Sequence, residues 1–293
     1  MRISGSRRVL ALVLPVLLML AAVPRANAVQ ISGQEKTEAS APLNILLIGQ
    51  DSDPAQQSTR ADSMILCSFN KNTEKLLMVS FLRDLYVPIP GHGSNRLNAA
   101  YAFGGAGLLK QTLEQNFDIR IDGTVEADFS QFSQIIDTLG GVDLTLRQDE
   151  ADVINRKTGS TLVEGQNHLS GDQVLVFSRI RNLDADGDFS RTHRQRQVLE
   201  AVWSRYQNIS LSDLLKTVRN LLPMLKTDMS NGAILSAMVR IFPSLSRVQI
   251  VSAHLPVPGS YTDQKIDTMA VLVTDLEQAG KYLRQWIETG TVT

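Results

Sequence analysis

The chain has 293 residues, of which 43% are hydrophobic, 5% aromatic and 20% charged, and its formal net charge is −1. These values are typical of a soluble globular protein with one large core, and the lack of a basic excess argues against a nucleic-acid-binding protein. The single cysteine, Cys67, excludes an intramolecular disulfide, and the histidines lack the spacing of a zinc site. Because its neighbours are apolar, we interpret Cys67 as a buried structural residue.

Residues 1–28 have the pattern of a secretory signal peptide. A basic start with three arginines precedes the apolar stretch Val9–Val23, and Ala26-Asn27-Ala28 has the form of a cleavage site. An uncleaved membrane anchor is the alternative, although the 15 apolar residues are fewer than the about 20 that a membrane span needs. Either interpretation places the rest of the chain outside the cytoplasmic membrane, secreted or tethered to its outer face. Residues 29–41 are polar and small, which predicts a flexible tether.

Three apolar runs predict the first strands of a sheet, at Asn44–Ile48, Met64–Phe69 and Lys75–Phe81. Turn-forming residues separate the second run from the third, so these two strands should form an antiparallel hairpin. If the first two strands are also antiparallel, the end of the first, the start of the second and the end of the third lie at one edge of the sheet. Charged residues cluster at these three strand ends, which indicates a site on a rigid scaffold: Asp51, Arg60, Asp62, Arg83 and Asp84.

The rest of the chain alternates between further strand and helix candidates. We predict strands at Tyr86–Ile89, Ile119–Val125, Val142–Leu146 and Val248–Val251. We predict helices after Gly104-Gly105, at Phe129–Leu139 with Asp128 as N-cap, from Ser170, and at Arg191–Tyr206, Ser212–Leu225, Ala233–Phe242 and Met269–Ile287. This alternation predicts an α/β fold in which a mixed central sheet is flanked by helices, an α-β-α sandwich, in a single catalytic domain of residues 42–290.

Arginines are concentrated between Arg179 and Arg196, where gathered guanidinium groups are typical of a phosphate-binding site. Three aspartates lie between them, so a solvated turn whose charges pair with one another is the alternative. The aspartates do not form a calcium loop, because the glycine and the final glutamate that such a loop requires are misplaced or missing.

Seven short motifs, taken in order, resemble the LytR-CpsA-Psr family of cell-wall glycopolymer phosphotransferases over most of residues 42–200. They are Gly49-Gln50-Asp51, Arg60-Ala61-Asp62-Ser63-Met64, Ser80-Phe81-Leu82-Arg83-Asp84, Arg96-Leu97-Asn98-Ala99-Ala100-Tyr101, Gly140-Gly141-Val142, Phe177-Ser178-Arg179-Ile180-Arg181 and Asp188-Phe189-Ser190-Arg191-Thr192-His193-Arg194-Gln195. Leu82 stands where the family commonly has proline, and Arg96 where it usually has lysine. Neither departure removes a charge.

The resemblance implies transfer of a glycopolymer, such as teichoic acid or capsular polysaccharide, from an undecaprenyl-pyrophosphate membrane carrier to peptidoglycan. The acceptor would be the C6 hydroxyl of N-acetylmuramic acid, and the product a phosphodiester. Carried over by position, the magnesium ligands are Asp51 and Asp62. The pyrophosphate-binding set is Arg60, Arg83, Arg179, Arg181, Arg191, Arg194 and Gln195, and the catalytic set is Arg83, Asp84, Arg179 and Arg181.

The chemistry of the residues agrees with this reading. Two carboxylates beside a pyrophosphate would repel it unless a cation lay between them, and Mg²⁺ is commonly held by one or two carboxylates and substrate phosphates. Loop capping is the alternative role for Asp51 and Asp62. A base for the acceptor hydroxyl could be Asp84 or a metal-site aspartate, and the sequence does not choose between them.

A polyprenyl tail also needs an apolar groove. Two predicted helices carry suitable side chains, Phe129, Phe132, Ile135 and Ile136 on one and Val198, Leu199 and Val202 on the other, although ordinary core packing is the alternative. Two other functions stay open at this point. One is a non-catalytic polyprenyl-phosphate binder that regulates envelope assembly, and the other is a polyprenyl-pyrophosphate hydrolase.

Overall fold

The computed structural model describes residues 41–51 and 60–292, with Asp51 described in its backbone only. The predicted signal peptide, and the predicted tether up to residue 40, lie outside the described residues. The described chain divides into two compact units. We call residues 41–51, 60–126 and 227–292 the sheet unit, and residues 127–226 the inserted unit. The predicted domain bounds of 42–290 stay a prediction.

A mixed six-stranded sheet forms the centre of the fold, in the order β10-β3-β2-β1-β6-β9. β2 is antiparallel to both β1 and β3, and β10 is parallel to β3. The strands are β1 (Leu43–Asp51), β2 (Arg60–Asn70), β3 (Lys75–Phe81), β6 (Gly123–Asp128), β9 (Lys226–Thr227) and β10 (Gln249–Leu255). Helices flank this sheet, which confirms the predicted α/β fold class.

The first three strands confirm the prediction made from their apolar runs. Their central residues are buried, because both faces of these strands are covered. Cys67 is one of the buried residues of β2, and burial raises the pKa of its thiol. The turn between β2 and β3 is held by Asn70, whose Oδ1 accepts from the Asn72 backbone N–H at 2.9 Å.

The remaining elements of the sheet unit surround this core. Four short strands form two antiparallel hairpins, β4 (Tyr86–Ile89) with β5 (Gly93–Arg96) and β11 (Tyr261–Ile266) with β12 (Met269–Thr274). The helices are α1 (Leu97–Phe117), α7 (Asn231–Ile241) and α8 (Leu276–Thr289). α1 and α8 pack on each other and contribute to one apolar core with β1, β2 and β3.

Three predicted elements of this unit were placed wrongly. α1 begins at Leu97 and not after Gly105, because Gly104 and Gly105 form a kink within the helix, where Gly105 has φ +64°. β6 begins at Gly123 and not at Ile119. The predicted helix Met269–Ile287 is a strand up to Thr274, because Asp275 caps the true helix start and accepts from the Gln278 backbone N–H at 3.0 Å.

Among its described residues, the inserted unit has a 3₁₀ helix at Leu222–Met224 together with five α-helices and one β-hairpin. These are α2 (Phe129–Thr138), β7 (Val142–Leu146), α3 (Gln148–Thr158), β8 (Gly165–Leu169), α4 (Gly171–Ser178), α5 (Asp188–Tyr206) and α6 (Leu211–Leu221). Asp128 caps α2 and Ser170 caps α4, as predicted. α3 and β8 were not predicted, because both are mostly polar and present few apolar residues to a core.

α4 is the central helix of the inserted unit and packs against α2, α3 and α5. Its contact with α2 depends on Gly171, where an added Cβ would lie 2.0 Å from the carbonyl oxygen of Ser133. The Ser133 hydroxyl donates to Asp172 at 2.6 Å and fixes the same contact. None of the helices that the structure describes has both the length and the apolar character to span a bilayer.

Candidate active site

The charged ends of β1, β2 and β3 meet at one edge of the sheet, as the antiparallel pairing predicted. A β-bulge lies at this edge, because Gly49 pairs with Ser63 whereas Gln50 pairs with Ala61. Asp62 is therefore the extra residue of the bulge, and Asp51 pairs with Arg60 just beyond it. Bulges often redirect a side chain next to an active site.

Four side chains at this edge form what we call the sheet-edge cluster: Asp62, Arg83, Asp84 and Arg96. Arg83 Nη1 donates to Asp62 Oδ1 at 2.8 Å, and its Nε lies 3.5 Å from Asp84 Oδ2. Arg96 Nε lies 3.3 Å from the other oxygen of Asp84. All four side chains are partly exposed, so the cluster is accessible to a ligand.

The two oxygens of Asp84 each face a guanidinium group, which suits a residue that positions Arg83 and Arg96. The role of Asp84 as a general base stays a prediction. Arg96, which replaces the family's usual lysine, is held further by donating from Nε to the Ala270 carbonyl at 2.9 Å.

Magnesium binding at this edge stays a prediction, made from the carboxylates of Asp51 and Asp62. Among the residues whose side chains are described, no three His, Cys, Asp or Glu side chains are grouped as a protein-only metal cage. Mg²⁺ needs no such cage, since one or two carboxylates with substrate phosphates and water suffice. Asp62 and Asp51 would be the ligands, and Arg60 is exposed at the start of β2 opposite Asp51.

A buried polar network supports the strand end that carries Asp51, and sequence reasoning assigned it no role. Glu126, which is 3% exposed, accepts from the Tyr101 hydroxyl at 2.5 Å and from Gln50 Nε2 at 2.9 Å. Burial, together with the hydrogen bond to Glu126, raises the pKa of Tyr101, so its hydroxyl stays protonated. Gln50 directly precedes Asp51, so the network fixes β1 at that point. Tyr101 stood in a quoted motif, but Glu126 gave no signal in the sequence.

The inserted unit brings a second charged group together, which we call the loop cluster. It comprises two sets of paired side chains, from the N-cap and first turn of α3, from residues 179–187 and from the first turns of α5: Arg147, Glu150, Asp184 and Arg194 in one set, and Arg181, Asp188 and Arg191 in the other. Asp188 lies 2.9 Å from Arg191 Nη2 and 3.8 Å from Arg181 Nε. The alternative in which aspartates pair with the arginines is therefore confirmed for Asp184 and Asp188.

The same alternative also predicted that residues 179–196 are solvated, which does not hold for all of their arginines. Arg191 and Arg194 are each 2% exposed, and Arg196 is 4% exposed. Burial lowers the pKa of Arg196 to about 10. Arg179, by contrast, is exposed, and its guanidinium lies 4.0 Å from the centre of the Phe129 ring as a cation–π pair.

A family model for the LytR-CpsA-Psr family matches residues 19–285 of the chain. The chain belongs to the LytR-CpsA-Psr family. The resemblance inferred from the seven motifs is thereby confirmed.

Relatives within the LytR-CpsA-Psr family include transferases and a protein named as a regulator. The chain is 38% identical over 169 residues to the polyisoprenyl-teichoic acid–peptidoglycan teichoic acid transferase TagU of Bacillus cereus, a match that covers 57% of this chain and 54% of TagU. The chain thus matches only about half the length of such transferases. It is 30% identical over 242 residues to the regulatory protein MsrR of Staphylococcus aureus, covering 82% of this chain and 71% of MsrR.

A solved structure of a family member extends the likeness to nearly the whole chain. The structure of YwtF (TagT) with bound octaprenyl pyrophosphate lipid matches at a TM-score of 0.64 and 25% identity. The match covers 92% of this chain and 97% of that one.

Five residues of the pyrophosphate-binding set carried over from the LytR-CpsA-Psr family lie in the inserted unit, between the end of α4 and the first turns of α5: Arg179, Arg181, Arg191, Arg194 and Gln195. Arg60 and Arg83 lie in the sheet unit. Contact of each with pyrophosphate stays a prediction.

The side chains predicted to line a lipid groove differ in exposure. Ile135, Ile136, Val198 and Val202 are each at most 2% exposed, and Leu199 is 8% exposed. Phe129 and Phe132 are half-buried on α2. α2 and α5 both pack against α4, so the aliphatic residues belong to the core of the inserted unit. Contact of any of these side chains with a lipid stays a prediction.

Proposed function

We propose that this chain transfers a glycopolymer from a polyprenyl-pyrophosphate carrier to peptidoglycan outside the cytoplasmic membrane. The observation that carries most weight is the likeness, over 92% of this chain, to a structure holding octaprenyl pyrophosphate. The transferase named for its action on teichoic acid and peptidoglycan supports the donor and acceptor classes. The signal-like N-terminal sequence supports the location.

In the proposed reaction, an acceptor hydroxyl oxygen of peptidoglycan attacks the phosphorus that carries the glycopolymer. A new P–O bond forms as the bond from that phosphorus to the bridging oxygen of the diphosphate breaks. The electron pair of the broken bond leaves with polyprenyl phosphate, and the hydroxyl proton passes to a base. Because the leaving group is itself a phosphate, positioning and charge stabilisation carry most of the catalysis.

The sheet-edge cluster offers the diphosphate a guanidinium group, that of Arg83. Arg83, oriented by Asp62 and Asp84, provides a planar donor that can bind phosphate oxygens through two N–H groups. Asp51 and Asp62 would hold Mg²⁺, which would supply positive charge to offset that of the phosphates. Arg60 lies next to this position in the strand register.

Within the inserted unit, the charged side chain of Arg179 lies against an aromatic ring. Its guanidinium stacks on Phe129, so phosphate recognition and contact with the first isoprene units occur within one side-chain pair. Arg181 and Arg191 in the same unit are both paired with Asp188.

The test is an assay with purified chain, a synthetic polyprenyl-pyrophosphoryl saccharide and peptidoglycan oligomers. We expect a phosphodiester-linked product and released polyprenyl phosphate, both lost with EDTA and restored by Mg²⁺. Asp62→Asn should lose the Mg²⁺-dependent rate, whereas Asp263→Asn on exposed β11 should keep it.

Two other outcomes would overturn the proposal. Release of polyprenyl phosphate at the full rate without peptidoglycan would indicate a hydrolase. Tight binding of the donor with no bond cleavage would indicate a non-catalytic regulator, the class that the name of MsrR represents.

A further inference from the structure

Arg194 lies in the second turn of α5 with its guanidinium group enclosed by protein. It is 2% exposed, although it was expected to bind pyrophosphate. Its Nε donates to Glu150 Oε1 at 2.8 Å, and its Nη2 pairs with Asp184. Its Nη1 donates to the carbonyl of Ile180 at 3.3 Å. Three of its nitrogens therefore face protein acceptors, so no edge of the group is presented to a substrate.

The Ile180 carbonyl is the contact that links Arg194 to the proposed phosphate site. Ile180 lies between Arg179 and Arg181, the two arginines that follow the last residue of α4. Ile180 itself is buried, whereas Arg179 is exposed and Arg181 half-buried. A hydrogen bond to the Ile180 carbonyl restrains the backbone from which both side chains extend.

The acids that hold Arg194 are themselves fixed by a second arginine. Arg147 Nη1 donates to Asp184 Oδ1 at 2.8 Å, and the Arg147 backbone N–H donates to Glu150 Oε2 at 3.0 Å. Three ion pairs therefore link Arg147, Asp184, Arg194 and Glu150 in order, and the hydrogen bond from the Arg147 backbone N–H to Glu150 closes the ring. We call it the charge ring, and it joins the start of α3, the segment between α4 and α5, and α5.

We propose that Arg194 is a positioning residue, and that the charge ring holds residues 179–187 so that Arg179 and Arg181 present their guanidinium groups to the diphosphate. This replaces the expectation that Arg194 binds pyrophosphate directly. The proposal rests on the proposed function for the identity of the ligand. The part that concerns the fold of the segment stands independently of it.

The charge ring can be tested without relying on activity. Arg147 is about half exposed, so Arg147→Met removes the outer partner of Asp184 without opening the core. We expect hydrogen exchange in the peptide 179–191 to become faster, because the Gly187 N–H bonds to the Asp184 carbonyl in this segment. Arg194→Lys keeps the charge but loses the planar fork, and should accelerate this exchange by at least about tenfold.

Controls separate positioning from direct binding. Arg181→Met should weaken binding of farnesyl pyrophosphate, measured by calorimetry, while accelerating exchange in the 179–191 peptide much less than Arg194→Lys does, because it removes only the ion pair with Asp188. Arg156→Met, an exposed arginine also on α3, should change neither quantity. Glu150→Gln should act in the same direction as Arg194→Lys, although Glu150 touches no proposed ligand.

The exchange and binding measurements together decide the role of the charge ring. If Arg147→Met and Arg194→Lys both leave exchange within about twofold of the parent chain, the charge ring does not hold the segment and the proposal fails. If exchange accelerates but affinity for farnesyl pyrophosphate does not fall, the ring is structural and Arg194 does not act through Arg179 and Arg181. If the parent chain does not bind farnesyl pyrophosphate at all, the proposed function fails while the exchange result still decides the role of the ring.

Discussion

Carboxylates accompany the arginines in both charged clusters. Asp62 holds Arg83, and Asp188 holds Arg181 and Arg191. Gathering several guanidinium groups at one place costs electrostatic energy, and interspersed carboxylates offset that repulsion while no phosphate is bound. The carboxylates also fix each guanidinium in one orientation, so less side-chain freedom is lost when a phosphate arrives.

Arg83 is the arginine whose replacement should most directly report on phosphoryl transfer. Arg83→Met should lower the transfer rate by roughly 10³-fold or more, the range found for a catalytic arginine in phosphoryl transfer. Arg83→Lys should lie between this variant and the parent chain, because it keeps the charge without the planar fork. Single-turnover release of polyprenyl phosphate measures both.

Arg120→Met is the matched control, since Arg120 lies in the same unit with 77% of its side chain exposed. Retention of more than a tenth of the parent rate by Arg83→Met would remove Arg83 from the catalytic set.

Asp184 should make the stability of the chain depend on pH. Hydrogen bonding to Arg147, and secondly to Arg194, holds the pKa of Asp184 below its ordinary value. A carboxylate whose pKa is lower in the folded state stabilises the fold above its unfolded pKa of about 3.9. That stabilisation is lost as the pH falls through the folded pKa.

Asp184→Asn should therefore unfold at lower urea concentration than the parent chain at pH 7, and the difference should shrink as the pH falls below the unfolded pKa of about 3.9. Urea midpoints measured across this range test the sign, with Asp263→Asn as an exposed control. Parallel midpoint curves for Asp184→Asn and the parent chain would contradict the expectation.

At the scale of elements, a strand or helix could be predicted from the sequence where it buries many apolar residues or has a recognisable cap. β1, β2 and β3 were predictable because they are continuous apolar runs, and α2 and α4 because Asp128 and Ser170 cap them. α3 buries only Glu150, Ala151 and Ile154, so its sequence carries little apolar periodicity. Its importance lies in Glu150 and Arg147, whose partners are distant in sequence, and no local pattern reports such contacts.

The contact between α2 and α4 gives a prediction for stability. Gly171→Ala should destabilise the chain by about 1–3 kcal/mol, because its Cβ would meet the Ser133 carbonyl and the helices would have to separate. Gly107→Ala is the control within a helix, since nothing lies within 4 Å of its added Cβ. That variant should be more stable by about 0.5–1 kcal/mol. Chemical denaturation measures both, and equal effects in the two variants would exclude the close-contact explanation.

α2 also allows a test of lipid recognition. Phe132→Ser should weaken binding of octaprenyl pyrophosphate by at least about tenfold, the equivalent of losing contact with one phenylalanine side chain. Binding of geranyl pyrophosphate, whose tail is short, should change by less than about twofold. Leu215→Ser on exposed α6 is the control. An equal loss for both ligands would argue against a lipid-contacting role of Phe132.

At the scale of the whole molecule, the order of motifs proved more informative than any single motif. The fold class and the meeting of Asp62, Arg83 and Asp84 at one sheet edge follow from antiparallel pairing of apolar strands, which a sequence reveals. The bulge at Asp62 and the burial of Arg194 could not be predicted in this way, because they depend on strand register and on partners brought together by folding. The division into two units was also hidden, since both have ordinary globular composition.

The inserted unit leaves and re-enters the sheet unit through neighbouring strands. β6 and β9 are adjacent in the sheet, and the Thr227 hydroxyl donates to the Thr124 carbonyl at 2.7 Å where the chain returns. A segment whose two ends are that close can be excised or exchanged without stretching its host. The inserted unit, residues 127–226, can therefore be exchanged as one piece. Chimaeras that carry the corresponding segment of a homologue between these strands would show which unit selects the donor.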